Sequence, residues 1–146
     1  MRYLAIDLGD QRTGLALGDP VTGIASPIGT LEVPIARADG GELLDAIVKA
    51  IDRELGPPES GGEIVVGLPL NMDGSEGPRA KLVRAFAERL AQAACRQVHL
   101  HDERLSSTAA DRDMARTGLT HGQKKKRRDA LAAAAILRSF LATLAE

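Results

Sequence analysis

The chain has 146 residues, 44% of them hydrophobic and 27% charged, with a formal net charge of -1. That suits one soluble domain with an aliphatic core, since there are only two Phe, one Tyr and no Trp. It argues against a membrane span, an internal disulfide (Cys95 is the single cysteine) and wholesale coating of nucleic acid. The chain enters a strand at once, without a charged-then-apolar leader, so no secretion signal is expected and a reducing cytoplasm is. Cys95, in an Ala-rich helical stretch, reads as a small buried filler.

Residues 2–8 are almost continuously apolar and predict a strand covered on both faces. Asp10-Gln11 makes a short turn, and residues 13–18 return as a second strand, which implies an antiparallel hairpin. Residues 24–33 predict a third strand, at an edge or bulged because of Pro27 and Pro34. Residues 39–55 predict a helix, with Leu43, Leu44, Ile47, Val48 and Ile51 at helical spacing. The Pro/Gly-rich stretch 56–62 is a loop, too short for a domain linker. Residues 63–68 predict a buried strand, 69–77 a loop with an Asp73-Gly74 turn, and Pro78 the start of a helix with Leu82, Val83, Phe86 and Leu90 as its stripe. Residues 97–101 form a short strand ending in Asp102-Glu103-Arg104. Ser106, Ser107 and Thr108 offer caps for a helix to about residue 114. Residues 117–123 predict a loop, followed by the basic run, and Asp129 begins a last helix. Strands joined by helices add in parallel through right-handed crossovers. The expected result is a single α/β domain over 1–146, a five-stranded mixed sheet with helices on both faces.

Three acids are oddly placed. Asp7 lies inside a strand, where a carboxylate needs a base, a metal ion or a proton as partner. Glu103 follows the last strand. Asp129, on the predicted first turn of the last helix, shares a face with Ala132, Ala133 and Ile136. Asp at a helix start also serves as a cap, and Glu103 could be a solvated strand end. As a set, the three could converge on Mg²⁺ or Mn²⁺, hard ions that take oxygen ligands. Carboxylates bridging two such ions can activate a water for in-line phosphoryl displacement.

The segments AIDLGDQRTGLALGD, IVVGLPLNMDGSEGPRA, LHDERLSSTAADRD and KKKRRDALAAAAIL, in this order, resemble the four signature blocks of the YqgF/RuvX family over essentially the whole chain. Members are bacterial proteins described as Holliday junction resolvases and as nucleases of the 16S ribosomal RNA precursor. The GLPLNMDG and DERLSST blocks are highly specific; the DLG block is shared with related folds. The resemblance implies a ribonuclease H-like fold and a catalytic, metal-binding acid triad of Asp7, Glu103 and Asp129. The loop at 56–62 looks longer than is typical of the family, and the basic run is denser.

Asn71, Asp73 and Ser75 lie where a central strand meets a helix N-terminus, a common ligand position, although on spacing alone plain turn chemistry accounts for them better. With the resemblance they become candidates for substrate contact. Arg12 could pair with an acid or a phosphate, or be a plain surface arginine, and Arg104, in the DERLSST block, is a candidate for nucleic-acid contact. Ser107 and Thr108 could cap a helix or touch substrate. Lys124, Lys125, Lys126, Arg127 and Arg128, next to Asp129, could be a solvated face or a phosphate contact. Tyr3, Phe86 and Phe140 are expected to be buried, leaving no stacking platform, so recognition would rest on backbone shape and charge. His99 and His101 lack further zinc ligands beyond His121 and Cys95.

The expected function is a metal-dependent nuclease acting on structured nucleic acid, above all at the 5′ end of precursor 16S rRNA. Alternatives are a resolvase of branched DNA, a non-catalytic RNA-binding assembly factor, or an ATPase module, which would need a second domain. A junction cutter requires a homodimer; an RNA trimmer can be a monomer.

Overall fold

The computed structural model describes residues 1–106 and 121–145, the latter with side chains from Arg128 onward. Five strands form one sheet: β1 (Tyr3–Leu8), β2 (Thr13–Gly18), β3 (Ala25–Leu31), β4 (Glu63–Leu68) and β5 (Val98–Asp102), in the spatial order β3-β2-β1-β4-β5. The first three make the expected antiparallel meander, and β4 and β5 add in parallel beside β1. Strand β3 is the edge strand predicted from its prolines. Its register with β2 shifts between Leu15 and Ala16, where Pro27 cannot donate to the ladder.

The sheet's period of two sends residues to opposite cores. Leu4, Ile6 and Leu8 of β1, with Ile64, Val66 and Leu68 of β4, pack against α1 (Gly41–Leu55) and α2 (Pro78–Ala94) through Leu43, Ile47, Ile51, Val83, Phe86 and Leu90. Tyr3, Ala5, Ala16 and Val65 face the other way, onto Ala133, Ile136, Leu137 and Phe140 of α3 (His121–Leu144). The three aromatic rings are buried, as expected.

Four expectations need correction. Helix α3 begins at His121, not at Asp129. Lys and Arg are good helix formers, and Gly122, read as a loop residue, is tolerated in the first turn. Asp129 is therefore two turns inside the helix rather than at its cap. Helix α1 begins at Gly41, not Asp39, because Ala38 and Asp39 are left-handed (φ 51° and 55°) within a short 3-10 turn over Arg37–Gly40. Strand β5 runs one residue later than expected and includes Asp102. Cys95 is exposed rather than buried: it follows α2 in a left-handed conformation (φ 53°), turned out of the helix whose apolar face is buried. The helix expected after Ser106 lies outside the described residues.

Candidate functional site

Asp7 is the last residue of β1 but one, and the alternation that points Tyr3 and Ala5 at α3 points Asp7 there too. Its neighbours in the sheet are glycines. Gly14 of β2 pairs directly with Asp7, and Gly67 of β4 comes next in the register after Ile6–Val66. Both glycines are required by close approach. A Cβ on Gly14 would run into the carbonyl of Asp129, with the Ala130 nitrogen 2.9 Å away. A Cβ on Gly67 would lie 2.7 Å from Cγ of Glu103 and 2.6 Å from Cδ1 of Ile136. The missing side chains make a floor on which a helix backbone and a glutamate side chain come to rest beside Asp7.

Glu103 opens a 3-10 turn (Glu103–Leu105) directly after β5. Its carboxyl lies beside that of Asp7, close enough to act on it directly. Burial, then the Glu103 carboxyl, then the charge of Asp129, push the Asp7 carboxyl well above the usual carboxylate range; nearby Arg79 opposes this. Asp129 is near enough to act on Asp7, but its own Oδ2 accepts from Nε of Arg12 at 3.0 Å. Among the described residues, no three His, Cys, Asp or Glu side chains are grouped closely enough to hold one ion. The structure thus places Glu103 close to Asp7 and holds Asp129 nearby on an arginine.

The donor set fits a hard divalent cation: all oxygens, with the Asp7 and Glu103 carboxyls close together and the Asp129 charge nearby, where a positive charge would relieve their repulsion. Asp129 would join once released from Arg12.

Arg79 was not singled out by the sequence. It looks like any polar residue in the first turn of α2. Its Nη2 donates to the Leu8 carbonyl at 2.7 Å and its Nη1 to Asp10, pinning the end of β1 and the hairpin tip to α2. Only its position beside the invading carboxylates of the site marks it, and no sequence spacing encodes that.

Arg104 pairs with Asp102 (Nη2 to Oδ2, 2.7 Å) and holds that carboxyl below its ordinary range. Its Nη1 reaches the carbonyls of Met72 at 3.1 Å and Asn71 at 3.3 Å. Arg104 therefore fastens the 71–75 loop to the end of β5. Within that loop, Asp73 accepts from both the Ser75 nitrogen (2.9 Å) and Ser75 Oγ (2.6 Å), and Asn71 donates to Ser75 Oγ at 3.0 Å. Those three side chains serve the turn itself, an exposed one. Lys124, Lys125, Lys126 and Arg127 lie in the first two turns of α3, with side chains outside the described residues; Arg128 is exposed. Ser107 and Thr108 fall outside the described residues. His99 bonds Glu63 at 2.7 Å, and His101 bonds Ser139 at 2.8 Å against the Phe140 ring. Burial lowers the pKa of His101.

A family model described as RuvX, Holliday junction resolvase, matches residues 1–143. A protein of Anaeromyxobacter sp. (strain Fw109-5), named "Putative pre-16S rRNA nuclease", is 45% identical over 97% of this chain and 96% of its own length. A relative of the same name from Maridesulfovibrio salexigens is 39% identical, covering 97% and 98%. Two solved structures share the fold. One is Thermus thermophilus RuvC in complex with Holliday junction substrate (TM-score 0.61, 16% identity, 99% of this chain and 96% of that one). The other is the fowlpox virus resolvase with Holliday junction DNA (TM-score 0.59, 13% identity, all of both chains). The meander, the two parallel additions and the helices on both faces are therefore the ribonuclease H-like fold. On the match across nearly its whole length, the chain belongs to the RuvX (YqgF) family.

Proposed function

We propose that this chain is a single-domain, metal-dependent nuclease that hydrolyses phosphodiester bonds in structured nucleic acid, with the 5′ end of precursor 16S rRNA as its substrate and the cytoplasm as its place of work. The observation that carries the chemistry is the gathering of two close carboxyls, Asp7 and Glu103, on a floor of two glycines with Asp129 alongside. The name shared by relatives up to 45% identical supports the substrate.

Hydrolysis joins a water oxygen to phosphorus and breaks the bond from phosphorus to the leaving sugar oxygen. Mg²⁺ or Mn²⁺, when bound, supplies an activated water and neutralises charge on the departing oxygen. The chain's own residues prepare the ground. Asp7, Glu103 and Asp129 would hold the ion. Asp7 is fixed at the end of a central strand, so its oxygens need no reorganisation at the moment of reaction. Arg79 holds that strand end in place through the Leu8 carbonyl. Arg12 and the basic residues 124–128 offer phosphate contacts, and Arg104 keeps the 71–75 loop in register with the site. Such contacts position a backbone without reading its sequence.

The test is cleavage of precursor 16S rRNA and of a four-way DNA junction, each with Mg²⁺ and with Mn²⁺, beside Asp7→Asn. The expected outcome is metal-dependent cleavage of the RNA, reduced on the order of 10²-fold or more in the variant, with nucleic-acid binding kept. The family's own description favours a second reading, branched DNA as substrate, which preferential cutting of the junction by a dimer would establish. Binding with no cleavage of either substrate would establish a non-catalytic assembly factor instead.

A further inference from the structure

Two arginines stand beside the acids, and they are held differently. Arg79 donates to a backbone carbonyl, that of Leu8, which cannot move without the strand. The contact of Arg12 is to a side chain, through Nε alone to one oxygen of Asp129, across 117 positions of sequence. Both members of that pair are partly open to water, with side chains 27% and 28% exposed. An ion pair in such a setting is worth little net stability, because water competes for both charges. A phosphate diester offers a guanidinium the same geometry as a carboxylate, and a guanidinium has five N–H donors to offer. A guanidinium on Asp129 competes with a divalent cation for that carboxylate: it occupies one of the two oxygens, and the two positive charges repel.

We propose that Arg12 is a latch on Asp129, operated by substrate. Without nucleic acid, Arg12 keeps Asp129 out of the cation site. When a backbone phosphate arrives, Arg12 exchanges the carboxylate for the phosphate, and Asp129 completes the oxygen set with Asp7 and Glu103. The proposal stands on the ion pair that Arg12 makes with Asp129, an acid whose charge reaches Asp7. It follows that cation and nucleic acid bind cooperatively, each strengthening the other by the same factor. The metal is drawn fully into the site only when there is something to cut. This rests on the reading of Asp7, Glu103 and Asp129 as the cation ligands.

The experiment is a titration of the whole protein with Mn²⁺, free ion read by electron paramagnetic resonance, with no nucleic acid present. Arg12→Gln should bind Mn²⁺ about five-fold tighter or more, at the low end of ordinary coupling between sites. In an Asp129→Asn background the same substitution should change nothing, because there is no carboxylate left to release. A second readout uses a short RNA duplex with Ca²⁺ in place of Mn²⁺. There Arg12→Gln should weaken binding and lower the salt slope by about one phosphate contact. Unchanged or weaker Mn²⁺ binding in Arg12→Gln would overturn the latch; so would a tightening that persists beside Asp129→Asn, which would mark a general field effect. Asp7→Asn separates the two levels. If it leaves Mn²⁺ affinity intact, the acids are not the cation site and the underlying reading fails. If it abolishes binding while Arg12→Gln does nothing, only the latch fails. Arg12→Met serves as the second variant should Arg12→Gln not fold.

Discussion

Against α1 and α2 the sheet presents Leu4, Ile6, Leu15, Ile64 and Val66; against α3 it presents Ala5, Gly14, Ala16, Val65 and Gly67. One face is filled by large aliphatic side chains meeting large aliphatic side chains. The other is built of small residues, so an alanine-rich helix comes down close enough for its backbone to touch a strand. The difference sorts the two faces by task. A face packed with Leu and Ile gains its stability from buried apolar area and has no room for a charge. A face of Gly and Ala gives up some of that area and leaves space where carboxylates from β1, the end of β5 and α3 can gather. The same strand, β1, serves both: Ile6 anchors one core and Asp7, its neighbour, opens onto the other.

This contrast can be broken from either side. The largest effect is expected from Gly14→Val. The obstacle is the backbone of Asp129 and Ala130 rather than a side chain able to turn away, so the loss of stability should reach about 3 kcal/mol or more, the upper end for overpacking. Cleavage should fall with it, as denaturant melts beside activity assays would show. Ile47→Ala, wholly buried on the opposite face, should cost about 2–4 kcal/mol through its cavity. There the activity per folded molecule should survive. If both variants lose activity in proportion to stability alone, the division of labour between the faces is wrong.

A smaller effect is expected from Asp7→Asn, with the opposite sign. The Asp7 carboxyl is pushed up by burial and by its acid neighbours. A raised acid makes the folded state bind more protons than the unfolded one, so stability declines as pH climbs above the ordinary carboxylate pKa of about 3.9. Asn carries no such penalty. The variant should melt higher than the parent at pH 7, with the gap closing towards pH 4, and added Mg²⁺ should raise the melting temperature of the parent only. Smallest is Cys95→Gly, at the end of α2. Relief of the left-handed backbone should outweigh the looser unfolded chain by about 0.5 kcal/mol. The site on the far face should not register the change.

The sequence made one face easier to read than the other. Leu43, Ile47 and Ile51 declare a helix by spacing, and the run from Tyr3 to Ile6 declares a buried strand. Asp7 was conspicuous because an acid interrupts that run. Helix α3 was harder. Its small core residues give a weak stripe, and its first two turns are hidden by the basic run, so Asp129 reads as a first-turn residue rather than as an interior one. Arg79 and Gly67 were silent because their meaning lies in what approaches them from elsewhere in the chain: the Leu8 carbonyl for one, the Glu103 side chain for the other. Cys95 misled by composition, since an Ala-rich neighbourhood says nothing about the φ of the residue that ends the helix. Arg12 offered the right alternatives, acid or phosphate, and the structure fills in the first.

The ion pair between Arg12 and Asp129 closes a loop of 117 positions. Contacts of that separation carry a large entropic cost and slow the step that makes them. The β1–β2 hairpin, by contrast, is local and can zip within microseconds. A chain still folding can therefore hold Asp7 and Gly14 in register long before α3 settles over them. Asp129 can meet Arg12 only where α3 has settled on the hairpin, so this one contact fastens the beginning of the chain to its last helix.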